Sequence, residues 1–164
     1  MEKEQAKFFL WLDRFEKTAV TILLSAMTIV VFLQVFFRFV IKGSLPWSEE
    51  LSRYLMIWAV FIGASMGAKV GAHIGVEAFI SFFPKKVRMA AIILSGILSV
   101  LFCLVILVLS IKVVLAIKLS GQLSPAMAIP MYWAYLAVPV GVLLMGTRFI
   151  QATIGKFKKE GMAK

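Results

Sequence analysis

A chain of 164 residues that is 62% apolar, with a mean hydropathy of +0.96, lies far outside the composition of soluble domains and reads as an all-α integral membrane protein. The formal net charge of +10 does not point to nucleic acid, because no soluble domain is left to carry a basic face once the apolar runs are set aside. A single cysteine, Cys103, lies within an apolar run, which excludes an intramolecular disulfide and a two-cysteine redox relay.

Residues 2–17 are amphipathic, with Phe8, Trp11, Leu12 and Phe15 at helical spacing and Lys7, Asp13, Arg14, Glu16 and Lys17 on other faces. They are expected to form an interfacial helix lying on the membrane. Residues 18–41 form the first span, about 36 Å of helix. This run is too long for a signal-peptide core and has no small-x-small site after it, so it is expected to be retained. Gln34 and Arg38, four apart, share a face near its far end, where Arg38 is expected to pair with Glu49 or Glu50 across the short turn 42–47.

The second span, residues 48–70, opens on Ser48 as N-cap, with Glu49 and Glu50 in the first turn where the helix dipole favours negative charge. Arg53 lies four residues after Glu49 and three after Glu50, so the three can meet on one face. Ala59, Gly63, Gly67 and Gly71 form a small-xxx-small ridge suited to close helix packing. Residues 74–83 are apolar but too short to span and stop at Pro84, which suggests a short interfacial helix. His73 and Glu77 have the spacing of a metal pair, but no second histidine exists to complete a site, so a local hydrogen-bonded pair is expected.

The third apolar run, 87–118, gives about 48 Å of helix, more than a hydrocarbon core of about 30 Å, so it must tilt or project. Gly121 to Pro125 breaks it. Pro130, Tyr132, Trp133 and Tyr135 mark an aromatic belt at the start of the fourth span, 131–153, which carries Pro139 as a kink or a first-turn feature. The whole is expected to be one membrane domain, residues 1–164. Placing both termini in the cytoplasm puts thirteen of the eighteen basic residues inside and leaves Arg38, Lys42, Arg53, Lys112 and Lys118 outside.

The side-chain inventory carries no strong enzymatic signal. A haem-binding bundle needs several histidines, and the chain has one; intramembrane proteases need a nucleophile with its base or paired aspartates at depth, and the one aspartate is Asp13. No catalytic, cofactor, metal or substrate-binding site is expected. A self-contained transporter would need a carboxylate near mid-span or paired broken helices, and neither is visible. The remaining alternative is a homo-oligomeric small transporter or channel.

Several segments in order, Trp47-Ser48-Glu49-Glu50-Leu51-Ser52-Arg53, Trp58, Gly63, Lys69-x-Gly71-x-His73-Ile74-x-Val76-Glu77, Phe83-Pro84-Lys85-Lys86-x-Arg88 and Gln122-x-Ser124-Pro125-Ala126 with Ile129-Pro130, resemble the small membrane subunit of tripartite ATP-independent periplasmic (TRAP) transporters. The similarity covers residues 10–153; Glu77 stands where that family often has aspartate. The resemblance implies a multi-pass protein of the bacterial or archaeal inner membrane without a translocation site of its own. It would extend the scaffold of a large elevator-type, sodium-coupled membrane subunit, fed by a periplasmic substrate-binding protein with an organic acid such as a C4-dicarboxylate or sialic acid. Arg38, Trp47, Glu49, Glu50, Arg53 and Trp58 would then fix the fold and partner surface, with His73 and Glu77 steadying the cytoplasmic turn. The loops 42–47 and 119–130 would face the delivery protein, and membrane lipids would surround the rest.

Overall fold

A computed structural model describes residues 2–70 and 84–162. These residues are almost wholly helical. Helix α1 spans Glu2–Phe36 and continues as a π-helical turn, Phe37–Ile41; α2 spans Pro46–Val70, α3 Lys85–Ser120, α4 Tyr132–Tyr135 and α5 Ala137–Met162. Four of them are long and apolar enough to cross a membrane. His73, Glu77, Gly71 and the expected helix at 74–83 lie outside the described residues.

No break separates residues 2–17 from the first span. Nothing between Asp13 and Thr21 stops a helix, and the Thr21 hydroxyl folds back to donate to the Lys17 carbonyl (2.8 Å) rather than capping a new start. The 35-residue α1 is therefore about 52 Å long. The other boundary differences also have local causes. Helix α2 starts at Pro46, whose missing N–H suits a first helical turn, so Ser48 is not the N-cap; its hydroxyl and amide both donate to the Leu45 carbonyl, at 2.7 and 3.1 Å. Helix α3 begins directly after the extended Pro84 and ends at Gly121, whose φ of +65° belongs to the left-handed region that closes helices. The fourth span is broken at Leu136 into α4 and α5, which places Pro139 in the first turn of α5, where a missing N–H costs nothing.

The helices pack as a single row in the order α1, α2, α5, α3: α2 lies between α1 and α5, and α5 between α2 and α3. A row one helix thick encloses little, and the buried apolar residues form a thin seam, among them Leu12, Ala59, Ile62, Ala68, Cys103, Ala137 and Val142. The large apolar side chains of α1 and α3 point outward, as expected where lipid or another membrane protein replaces water as the neighbour. Small residues set the close crossing of α2 on α5. A Cβ added at Gly141 would lie 2.6 Å from the Phe61 Cβ and 2.7 Å from the Phe61 carbonyl oxygen.

That crossing is not made by the ridge expected from sequence. Ala59 is buried, but a Cβ at Gly63 or Gly67 would meet nothing within 4 Å. The register buried on α2 is Ala59, Ile62, Ser65 and Ala68, turned away from the glycines. Glycine spacing marks where a helix can be approached closely, and among the described residues nothing approaches Gly63 or Gly67.

Candidate functional site

Two polar clusters sit at opposite ends of α2, separated by the 15 residue steps from Glu50 to Ser65, about 22 Å of helix. The outer cluster is built on Glu50. Its Oε1 accepts the Tyr54 hydroxyl from the next turn of α2, and its Oε2 accepts the backbone amides of Ala126 (2.9 Å) and Met127 (3.1 Å). One carboxylate thereby ties α2 to the connection between α3 and α4. One turn further, Trp58 Nε1 donates to the Trp133 carbonyl (3.2 Å) and fixes the start of α4.

The connection held by Glu50 is itself tightly closed. The Ser124 amide donates to the Ile129 carbonyl (2.8 Å), the Ala128 amide to the Ser124 carbonyl (3.1 Å) and the Met131 amide to the Gln122 carbonyl (3.0 Å), with Leu123 and Pro130 bridged antiparallel. Ala128 adopts φ +54°, a conformation that costs a β-carbon-bearing residue about 1 kcal/mol and persists only where the surroundings enforce it. The Lys118 ammonium, 5.9 Å from the centre of the Tyr132 ring, closes the far side.

Beside this cluster the expected ion pairs do not form. Glu49 accepts from Gln34 Nε2 (3.1 Å), so it is the neutral member of the Gln34/Arg38 pair that bridges α1 to α2. Among the described residues Arg38 and Arg53 make no ion pair, and both are exposed. The π-helical turn is the local difference: it holds Arg38, unlike Gln34, outside regular α geometry. Trp47 is partly exposed at the turn.

The inner cluster contains none of the residues singled out from sequence. Arg148 of α5 is fully buried (0% exposed) and Glu16 of α1 nearly so (1%). Arg148 donates through Nε to Glu16 Oε1 (3.2 Å) and through Nη2 to Glu16 Oε2 (2.5 Å), a fork matching the carboxylate plane. Nη2 also lies 2.7 Å from Asp13 Oδ1, and Nη1 donates to Gln151 Oε1 (2.8 Å). Ser65 of α2 donates to Glu16 Oε1 (2.8 Å), and Lys69 to Asp13 Oδ2 (2.6 Å). Two acids meet two bases, so the cluster is electrically balanced.

Its position follows from the row of helices. The backbones of α1 and α5 do not pack on each other, because α2 runs between them. At Ser65 the α2 side chain is small enough for Glu16 and Arg148 to reach across. Three helices are thus pinned at one level, and among the described residues no His, Cys, Asp or Glu cluster suits a metal. In both clusters the chemistry is that of holding helices.

A family model described as Tripartite ATP-independent periplasmic transporters, DctQ component, matches residues 27–159. The chain belongs to this family. Over 174 aligned positions it is 28% identical to the C4-dicarboxylate TRAP transporter small permease protein DctQ of Rhodobacter capsulatus, covering 88% of this chain and 77% of that protein. The ectoine TRAP transporter small permease protein TeaB of Halomonas elongata is 29% identical over 117 positions, 71% of this chain and 61% of TeaB. The isethionate TRAP transporter permease protein DctMQ of Oleidesulfovibrio alaskensis is 24% identical over 160 positions, which are 93% of this chain but 25% of DctMQ. The DctQ-family segment includes the whole Glu50 cluster and Arg148, and it begins after Asp13 and Glu16. The chain is thus a TRAP small permease subunit and a multi-pass membrane protein, in a family of transporters rather than enzymes.

Proposed function

We propose that the chain is the non-translocating scaffold subunit of a sodium-coupled secondary transporter that imports an organic acid, a C4-dicarboxylate, sialic acid or a related compound. A large elevator-type membrane subunit carries the solute, and a periplasmic binding protein delivers it. The observation that carries this reading is the single row of four spans, whose buried charges, Glu16 and Arg148, are consumed in tying α1 to α5 across α2. DctMQ supports the partner: there the matching segment makes up a quarter of a much longer permease protein.

The row offers two broad faces, and the open Gly63 and Gly67 on α2 suit close approach by a helix of the large subunit. Arg38, Trp47 and Arg53 point outward and are available to the partner or to the delivery protein. The thirteen-to-five distribution of basic residues supports cytoplasmic termini in the inner membrane, with the Glu50 end of α2 facing the periplasm. The first 17 residues, with Trp11 and Phe15 exposed and stacked at 5.7 Å, suit the inner membrane interface.

Reconstitution tests the reading directly. Vesicles containing this chain with its large subunit and binding protein should take up the organic acid in the presence of a sodium gradient. Vesicles containing this chain alone should take up none, and solute flux in them would favour the homo-oligomeric transporter instead.

A further inference from the structure

We infer that the outer end of the row carries a binding site for one amine-bearing zwitterionic phospholipid of the phosphatidylethanolamine type. A cavity of about 510 Å³ opens between α2 and the α4/α5 junction, within the size range of small-molecule sites. Its floor is apolar, with Ile57, Ala134 and Val138, and charge is confined to its α2 side. A second cleft of about 220 Å³, lined by Ile106, Leu109 and Val113 of α3, shares Tyr135 and Val138 with the first. Apolar lining continued on both sides of this shared wall suits acyl chains.

The charged side carries the specificity. Glu50 lines the cavity, but its oxygens are taken by Tyr54 and the amides of Ala126 and Met127. Glu49 and Arg53 also line it, one helical turn apart, and they do not pair with each other. Among the described residues Glu49 accepts a single side-chain hydrogen bond, from Gln34. A guanidinium that makes no ion pair, beside a carboxylate with acceptor capacity to spare, complements a headgroup that carries a phosphate and an ammonium together. The aromatic residues Trp47, Tyr132 and Trp133 set this end of the row at the depth of lipid headgroups. The site rests on the chain's membrane span and not on its place in a transporter.

Native mass spectrometry of the purified full chain tests it, with phosphatidylethanolamine, phosphatidylglycerol and diacylglycerol of equal chain length as probes. One phosphatidylethanolamine should survive activation that strips the other two, with an apparent affinity about tenfold higher. Arg53→Gln should lower retention of both phospholipids, whereas Glu49→Gln should lower phosphatidylethanolamine and raise phosphatidylglycerol. Both side chains are exposed, so the fold should survive, which helical circular dichroism verifies. Equal retention of the three lipids, or unchanged retention in the variants, overturns the site. So does a complex of the unaltered chain with the large subunit that holds no phosphatidylethanolamine; that result would leave the scaffold reading intact.

Discussion

The two ends of α2 solve the same problem with different chemistry. At the inner end two charged side chains, Glu16 and Arg148, are removed from solvent altogether and satisfied by each other, with Ser65, Gln151 and Asp13 completing the set. At the outer end one carboxylate, Glu50, remains partly exposed and binds backbone amides. The inner cluster joins helices that do not otherwise pack, so it cannot lose a member without leaving a buried charge. The outer one joins a helix to a loop that already closes on itself through the Ser124, Ala128 and Met131 amides. A buried, reciprocal ion pair therefore ties α1 to α5 across α2, and a partly exposed carboxylate governs only how one loop sits.

Arg148→Ala should have the largest effect. It leaves the Glu16 carboxylate buried without its partner, a change that costs about 3–5 kcal/mol, and thermal unfolding in detergent should show it as a loss of folded chain. The double variant Glu16→Leu/Arg148→Met should recover most of that stability, since no charge is left buried and unpaired. If the double variant is as unstable as the single one, the attraction within the pair, and not the avoidance of a stranded charge, is what holds α1 to α5.

Little of this inner cluster was legible in the sequence, and the reason is physical. Glu16 and Arg148 are 132 residues apart, and each has a plausible local role: Glu16 on a polar face, Arg148 among the basic residues that set topology. The available signal was Leu12 and Glu16 at i, i+4, placing an acid on the face that packs, combined with an arginine inside an apolar run. The outer cluster was half legible. Glu50 and Trp58 stood out, and both bind the 122–135 segment, but Arg38 was expected to pair with one of the acids and Arg53 to share their face, whereas the donors to them are backbone amides, Tyr54 and Gln34. Sequence spacing predicts which side chains can meet, whereas loop amides carry no sequence signature.

The crossing that brings Arg148 alongside α2 can be tested without touching a charge. Gly141→Val pushes a branched side chain into the Phe61 backbone and should destabilise the chain by about 1–3 kcal/mol. Gly63→Ala and Gly67→Ala, with open space around them, should leave the isolated chain unchanged within about 0.5 kcal/mol. Loss of the large subunit on co-purification of a Gly63→Leu/Gly67→Leu variant, with the chain itself still folded, would assign that face to the partner.

At the outer end, Glu50→Ala should release one loop and leave the row intact. Amide exchange at Ala126 and Met127 should rise sharply, while exchange in α5 around Arg148 stays protected. Glu50→Gln should be intermediate, because an amide oxygen still accepts hydrogen bonds but without charge. Global unfolding in Glu50→Ala would break the comparison by showing that the two ends are not separable.

Lys69→Ala should have the smallest effect, although its ammonium makes a 2.6 Å contact within the inner cluster. Proximity is not the deciding quantity. The Lys69 side chain is 41% exposed and its partner Asp13 20%, so water screens the pair and already solvates the ammonium, and such contacts contribute about 0–1 kcal/mol. Asp13 also keeps Arg148 at 2.7 Å when Lys69 is gone, so no buried charge is stranded. The same truncation to alanine, applied to two cations bonded to the same aspartate, should therefore differ severalfold in cost according to how far each is removed from solvent. Parallel unfolding of Lys69→Ala and Arg148→Ala measures that ratio, and equal losses would mean that α1 is held by net charge at this level rather than by the buried fork.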